Sequence, residues 1–101
     1  MSRDYYASVF WSHQAIEKIL KVVLIERSGE LFRIHDLVML SRMCKMPPEA
    51  QKKIKMLSGA YTEARYGLIG NRIPAEKFRE KDAAEFLNIA NGVLEWSKSE
   101  I

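Results

Sequence analysis

The stretch that decides the fold is DYYASVFWSHQAIEKILKVVLIERS, residues 4–28, which contains neither glycine nor proline. Its apolar residues recur at spacings of three, four and seven, as the buried face of a helix requires: Val9, Phe10, Ile16, Leu20, Val23 and Leu24. A second apolar stripe lies beside the first, at Trp11, Ala15, Ile19 and Val22. So wide an apolar surface is typical of a helix buried on two sides. We therefore expect one long helix, ended by Gly29, and a homodimer or partner interface.

The rest of the chain predicts three more helices. Asp36 can cap a short helix at 36–45, and the proline pair at 47–48 predicts the start of a helix at 48–66. Residues 67–80 predict an irregular stretch, and a fourth helix follows at 80–98. Its inner face is expected at Ala83, Phe86, Leu87, Ala90, Val93, Leu94 and Ser97. The prediction is an all-α, antiparallel up-and-down four-helix bundle in a single domain, 1–101.

Composition restricts the kind of protein. With 101 residues, 48% hydrophobic and 29% charged, the chain is long enough for a core and too apolar to be disordered. The net charge of +3 is concentrated in residues 27–72, where nine basic residues meet four acidic ones. A single cysteine, Cys44, allows no intrachain disulfide, and no stretch reads as a signal peptide or a membrane span. We expect a cytoplasmic protein whose basic middle either faces an anionic partner or is simply a solvated surface.

Three motifs follow one another along the chain. The first is Gln-Ala-Ile-Glu-Lys-Ile-Leu-Lys at 14–21, the second is His-Asp-Leu at 35–37, and the third is Tyr-Thr-Glu-Ala-Arg-Tyr at 61–66. In this order and at these approximate spacings they resemble HEPN domains, a family of helical modules, over roughly residues 5–95. The resemblance implies a helical bundle that partners a minimal nucleotidyltransferase, as in a toxin–antitoxin pair.

Two features depart from that family's usual pattern. Such domains usually carry one more helix ahead of the Gln-Ala-x-Glu-Lys helix, so we expect the leading helix to be missing or short. The family's Arg-Tyr is typically followed by proline, whereas Gly67 stands here.

A nucleotide-binding cleft is predicted from five residues: His35, Asp36, Tyr61, Arg65 and Lys21. His35 and Asp36 stand at a helix start, which favours anions, and His35 can donate to a phosphate. Arg65 lies one helical turn after Tyr61, so a planar guanidinium and a ring that can stack on a base share one face. No metal or other cofactor is expected, because no cluster of ligating residues accompanies them.

Each of these residues also has a purely structural interpretation. Asp36 can serve only as a helix cap, and Tyr61 can lie in the core while Arg65 pairs with an acid such as Glu17. Lys21 can form an ordinary ion pair with Glu17, four residues earlier. His13, on the apolar stripe of the first helix, is expected to be a hydrogen-bonded interior residue.

Two other functions remain open. Ribonucleases of the wider family carry an arginine, four to six residues, and then a histidine. Here Arg33 is separated from His35 by one residue, Arg27 from His35 by seven, and Arg3 from His13 by nine. The motif is absent, so we expect binding rather than catalysis. The alternatives are a metal-independent ribonuclease using His35 with Arg65, and a DNA-binding module using three exposed lysines, Lys52, Lys53 and Lys55.

Overall fold

Four helices make up the domain: α1 (Ser2–Ser28), α2 (Leu37–Met43), α3 (Pro48–Ile69) and α4 (Glu80–Glu100). This computed structural model describes the backbone of residues 2–69 and 80–101, and the side chains of residues 7–62 and 83–101. Within these ranges there is no β-strand, so the predicted all-α, four-helix class is confirmed. None of the described helices is both long and apolar enough to cross a membrane.

Local chemistry explains where the helices begin and end. Gly29 ends α1 with a φ of 75°, a left-handed conformation that glycine adopts without steric cost. One carboxylate oxygen of Asp36 accepts hydrogen bonds from the amides of Val38 (2.9 Å) and Met39 (3.2 Å), so the predicted N-cap of α2 is confirmed. The end of α2 has Lys45 in the left-handed region at φ 56°, and Pro48 then opens α3.

The core is built mainly from the predicted apolar stripe of α1. Ile16, Leu20 and Val23 are completely buried, as are Leu37 and Leu40 of α2 and Ile54 and Leu57 of α3. Burying a leucine or isoleucine side chain of this kind contributes about 1.5–3 kcal/mol. Cys44 is also fully buried, as a small apolar residue would be, and its thiol donates to the Leu20 carbonyl at 3.4 Å. Burial raises the pKa of this thiol to about 11, although the nearby charge of Arg27 acts in the opposite direction.

The course of the chain departs from strict up-and-down alternation between α1 and α2. His35, just before α2, contacts the middle of α1 at Glu17, whereas Cys44, just after α2, contacts α1 at Leu20 and Arg27. The loop 29–36 therefore carries the chain back along α1, and α2 then runs in the same direction as α1.

The two long helices that follow alternate in direction. Tyr61, late in α3, stacks on His13 near the start of α1, so α3 is antiparallel to α1. The C-terminal end of α4 contacts the C-terminal end of α1. Glu100 forms an ion pair with Arg27, and the Arg27 guanidinium lies over the Trp96 ring. α4 therefore runs parallel to α1 and antiparallel to α3.

The inner face of α4 differs from the prediction at three positions. Phe86, Ala90, Val93 and Ser97 are buried as expected, but Leu87 and Leu94 are exposed and Ile89 is buried instead. The reason is that α4 has two neighbours. Positions 86, 90, 93 and 97 form the stripe at the centre of the bundle, Ile89 turns toward α3, and Leu87 and Leu94 fall on the outer side.

The second apolar stripe of α1 is largely exposed. Trp11, Ala15 and Val22 are exposed, and only Ile19 is half-buried.

The bounds of the helices differ slightly from the prediction, since α3 continues through residues 67–69, which the sequence predicts to be irregular. The remainder of that predicted irregular stretch, 70–79, lies outside the described residues.

Candidate functional site

A polar groove of about 560 Å³ lies between α1, the residues that enter α2, and α3. We call it the α1–α3 groove and define it by its lining: His13, Gln14, Glu17, His35, Asp36, Ser58, Tyr61 and Thr62. Helical geometry brings these residues together, because 13, 14 and 17 share one side of α1 and 58, 61 and 62 share one side of α3. The groove has the volume of a small-molecule site.

Glu17 is the electrostatic centre of the groove. Its Oε2 accepts a hydrogen bond from Lys21 Nζ at 3.1 Å and lies 2.9 Å from His35 Nδ1. Only 12% of the Glu17 side chain is exposed, against 78% of the His35 side chain. Burial alone would raise the pKa of Glu17, but the hydrogen bonds and positive charge of His35 and Lys21 outweigh burial and leave that pKa below its ordinary value. Glu17 is therefore ionised at neutral pH.

The ionised Glu17 determines the tautomer of His35. A carboxylate can only accept hydrogen bonds, so Nδ1 of His35 must carry the hydrogen that it shares with Glu17. The opposite nitrogen, Nε2, is then an acceptor when the ring is neutral and a second donor when it is protonated. The capping of α2 by Asp36, the next residue, holds His35 against α1.

His13 and Tyr61 form the inner wall of the groove. Their rings are stacked, with centroids 4.0 Å apart and planes inclined by 21°. His13 is 6% exposed, which confirms the expected interior position. The expected hydrogen bond is missing at one ring nitrogen, since Nδ1 of His13 is enclosed and has no hydrogen-bond partner among the described residues. Burial lowers the pKa of His13, and the charge of Glu17 offsets that effect only in part.

The structure brings together most of the residues predicted for a nucleotide site. His35, Asp36 and Tyr61 line the α1–α3 groove, and Lys21 joins it through Glu17. Tyr61 is only 9% exposed and one face of its ring is covered by His13, so a nucleotide base has little access to it. Arg65 belongs to α3, one turn after Tyr61, but its side chain lies outside the described residues.

Sequence reasoning did not assign His13, Glu17, Gln14, Ser58 or Thr62 to the site. One signal for the first two was present, because positions 13 and 17 continue the buried face formed by Val9, Ile16 and Leu20. A polar residue in such a position usually has a partner on a neighbouring element. Which element supplies it depends on the packing of α1, α2 and α3.

Two further features bear on the chemistry of the site. Among the described residues, no group of three or more His, Cys, Asp or Glu is placed to hold a metal ion. A second groove of about 490 Å³ lies between the start of α3 and α4, and its walls include Ala50, Ile89, Val93 and Trp96. Its lining also includes Glu49, Lys53, Glu85 and Asn88, but all four are exposed, whereas the side chain of Glu17 is only 12% exposed.

We predict that His13→Phe reduces the loss of stability on mild acidification. Because burial depresses the pKa of His13 below 6.5, the folded protein binds a proton there less readily than the unfolded chain. This histidine therefore contributes stability above that pH, and the contribution is lost as pH falls through 6.5 toward the folded-state pKa. Phenylalanine retains the stacked ring and cannot titrate. Thermal midpoints of both proteins between pH 8 and pH 5.5 measure the difference, and equal declines would contradict the prediction.

The comparisons with known proteins agree with the helical fold. A family model for the HEPN domain matches residues 1–101, the whole chain. Neither the curated proteins nor the solved structures include one that matches the chain. Since the family model covers every residue, including the Glu17, His35 and Tyr61 positions of the groove, this chain belongs to the HEPN domain family.

Proposed function

We propose that this HEPN domain is a nucleotide-binding and protein-interaction module that holds a nucleotide in the α1–α3 groove. One observation carries the proposal: a groove of about 560 Å³ that is lined by polar side chains from three segments of the chain and contains the largely buried carboxylate of Glu17. Convergent polar groups in a concave site of this size are typical of small-molecule binding.

The charges around the groove support an anionic ligand at its mouth. The side chains of Lys21 and His35 both contact the carboxylate of Glu17. The exposed ring of His35 can also donate a hydrogen bond from Nε2 when the ring is protonated. Residues 27–72 carry nine basic and four acidic residues, and this net positive charge favours an anionic ligand over a cationic one. Arg65, one turn from Tyr61, would add a planar donor for phosphate.

Nucleotides are therefore expected to raise the thermal midpoint of the wild-type domain. A ligand at 100 times its dissociation constant contributes about 2.7 kcal/mol, which shifts the midpoint of a domain of this size by several degrees. Differential scanning fluorimetry with ATP, GTP, phosphate and pyrophosphate measures the shift. It should be lost in His35→Ala and Arg65→Ala, and weakened in Lys21→Ala.

The control for that experiment is Lys98→Ala, because Lys98 is exposed on α4, a different helix, and does not line the groove. This variant should keep the full nucleotide shift. An equal response to plain phosphate, or no response to any nucleotide, would contradict nucleotide binding and leave a protein-interaction domain.

The interaction part of the proposal is a homodimer, with a minimal nucleotidyltransferase as the further partner that the family resemblance implies. In the dimer, the outer face of α1 would be covered. Trp11, Ala15, Lys18, Val22 and Ile25 are all exposed, with Trp11 at 66%, and follow one another at spacings of four and three. This is the heptad pattern by which one helix packs along another, and a second copy presents the same pattern.

We expect Val22→Glu to shift the domain from dimer to monomer, because it places a charge in the middle of that face. Size-exclusion chromatography with light scattering measures the mass, with Lys52→Glu on α3 as the control. The same measurement after mixing with a purified minimal nucleotidyltransferase tests the second partner by co-elution. A wild-type monomer at all concentrations would contradict the homodimer.

The pairing of His35 with Glu17 also favours a second candidate function, a metal-independent ribonuclease. A histidine that donates from Nδ1 to a buried carboxylate has its other nitrogen oriented to accept a proton, as a general base requires. In RNA cleavage this base would take the proton of the attacking 2′-hydroxyl, while Arg65 would hold the phosphate. The family's usual arginine–histidine spacing is absent, so the candidate depends on this geometry alone.

If the domain is a ribonuclease, it should degrade single-stranded RNA in the presence of EDTA. Activity should fall by about 100-fold or more in His35→Ala and by a smaller factor in Glu17→Gln, which removes the charge that orients the ring. Gel analysis of a labelled RNA measures both. Cleavage that is unchanged in His35→Ala identifies a contaminant and excludes this candidate.

A further inference from the structure

Three side chains that line the α1–α3 groove keep a hydrogen-bond acceptor available: Glu17 in its inner part, and Asp36 and Thr62 on its exposed side. Oε2 of Glu17 receives both Lys21 and His35, and no hydrogen bond reaches Oε1 from any described residue. Similarly, Oδ1 of Asp36 receives both capping bonds of α2, which leaves Oδ2 as an acceptor. Thr62 uses its hydroxyl hydrogen to bond the Ser58 carbonyl at 3.0 Å, so its oxygen is again an acceptor.

His13 indicates the size of the group that fits here. Its side chain is more than nine-tenths buried, it lines the groove, and its Nδ1 has no hydrogen-bond partner among the described residues. A buried polar atom in that state costs free energy until a partner reaches it. Because Nδ1 is enclosed, a ligand group reaches it only if the wall that His13 forms with Tyr61 shifts, and a hydroxyl requires the smallest shift.

Two other ligand chemistries are disfavoured on electrostatic grounds. A phosphate close to Oε1 of Glu17 would be repelled by the carboxylate, which is ionised and little exposed. An ammonium or guanidinium group would meet the positive charge of Lys21, which lies 3.1 Å from the same carboxylate. A neutral group with several hydrogen-bond donors satisfies the acceptors without either penalty.

We propose that the inner part of the groove, Glu17 with His13, receives the vicinal hydroxyls of a ribose. The ligand is then a ribonucleotide whose sugar is the part that lies deepest in the groove. An acidic side chain recognises ribose in a similar way in dinucleotide-binding folds, where the carboxylate accepts a hydrogen bond from the 2′-hydroxyl. The phosphates then lie at the mouth, beside the exposed ring of His35. This inference rests on the proposed nucleotide binding and adds the part of the nucleotide that is recognised.

Matched ribose and deoxyribose ligands test the inference directly. Isothermal titration of the wild-type domain would use AMP, GMP and their 2′-deoxy counterparts, with ribose 5-phosphate, inorganic phosphate and spermidine as controls. We expect each ribonucleotide to bind at least about tenfold more tightly than its 2′-deoxy form, as the loss of one hydrogen bond to a charged acceptor predicts. Glu17→Gln should remove that preference.

Two variants keep the result interpretable. Glu26→Gln changes an exposed carboxylate on the same helix that does not line the groove, and should retain the preference for ribose. His13→Phe removes the enclosed nitrogen while preserving a ring against Tyr61, and should reduce the preference even if Glu17→Gln proves too unstable to titrate.

The possible outcomes separate this inference from the function on which it rests. Equal affinity for ribose and deoxyribose forms would overturn ribose recognition and leave nucleotide binding intact. Absence of binding by every nucleotide would overturn both. Tighter binding of spermidine than of any nucleotide would show that the carboxylates bind a cation, and would also overturn the proposal.

Discussion

The burial of one face of α1 is the constraint on which the rest of the structure depends. All three other helices pack on α1, and its residues Ile16, Leu20 and Val23 are completely buried. A helix of this kind is not stable alone in water, so its stability comes from covering that face. The return of the 29–36 loop along α1 follows from the same requirement, because it places Leu37 and Leu40 over the middle of the apolar stripe.

The α1–α3 groove forms where that buried face becomes polar. His13 and Glu17 occupy positions at which an apolar residue would close the core, and each obtains a neighbour from another segment: Tyr61 from α3 and His35 from the entry to α2. The buried charge of Glu17 is compensated by Lys21 on its own helix and by His35 from outside it. A partly buried carboxylate that receives hydrogen bonds from two neighbours stays ionised, and in that state it accepts hydrogen bonds but donates none.

The outer surface of the bundle is organised differently from its core. The exposed apolar residues of α1 and α4 recur at seven-residue intervals, Ala15 with Val22 and Leu87 with Leu94, while α3 and α4 leave an open groove between them. The groove around Glu17 is polar and suits a small ligand, whereas the outer face of α1 is apolar except at Lys18 and suits another helix. Ligand binding and association would therefore use separate parts of α1.

Periodicity and helix-ending residues in the sequence determined the four helices, most of the core and the cap at Asp36, because these depend on contacts within a few residues. The sequence also predicted that His35, Asp36 and Tyr61 share a site, through the motifs typical of the family. Only the tertiary structure decided that Leu87 and Leu94 face outward, that α2 runs parallel to α1, and that His13 stacks on Tyr61. The physical reason is that these features depend on which neighbour each helix face meets. The pairing of Glu17 with His35 likewise joins residues 18 positions apart, which no local pattern specifies.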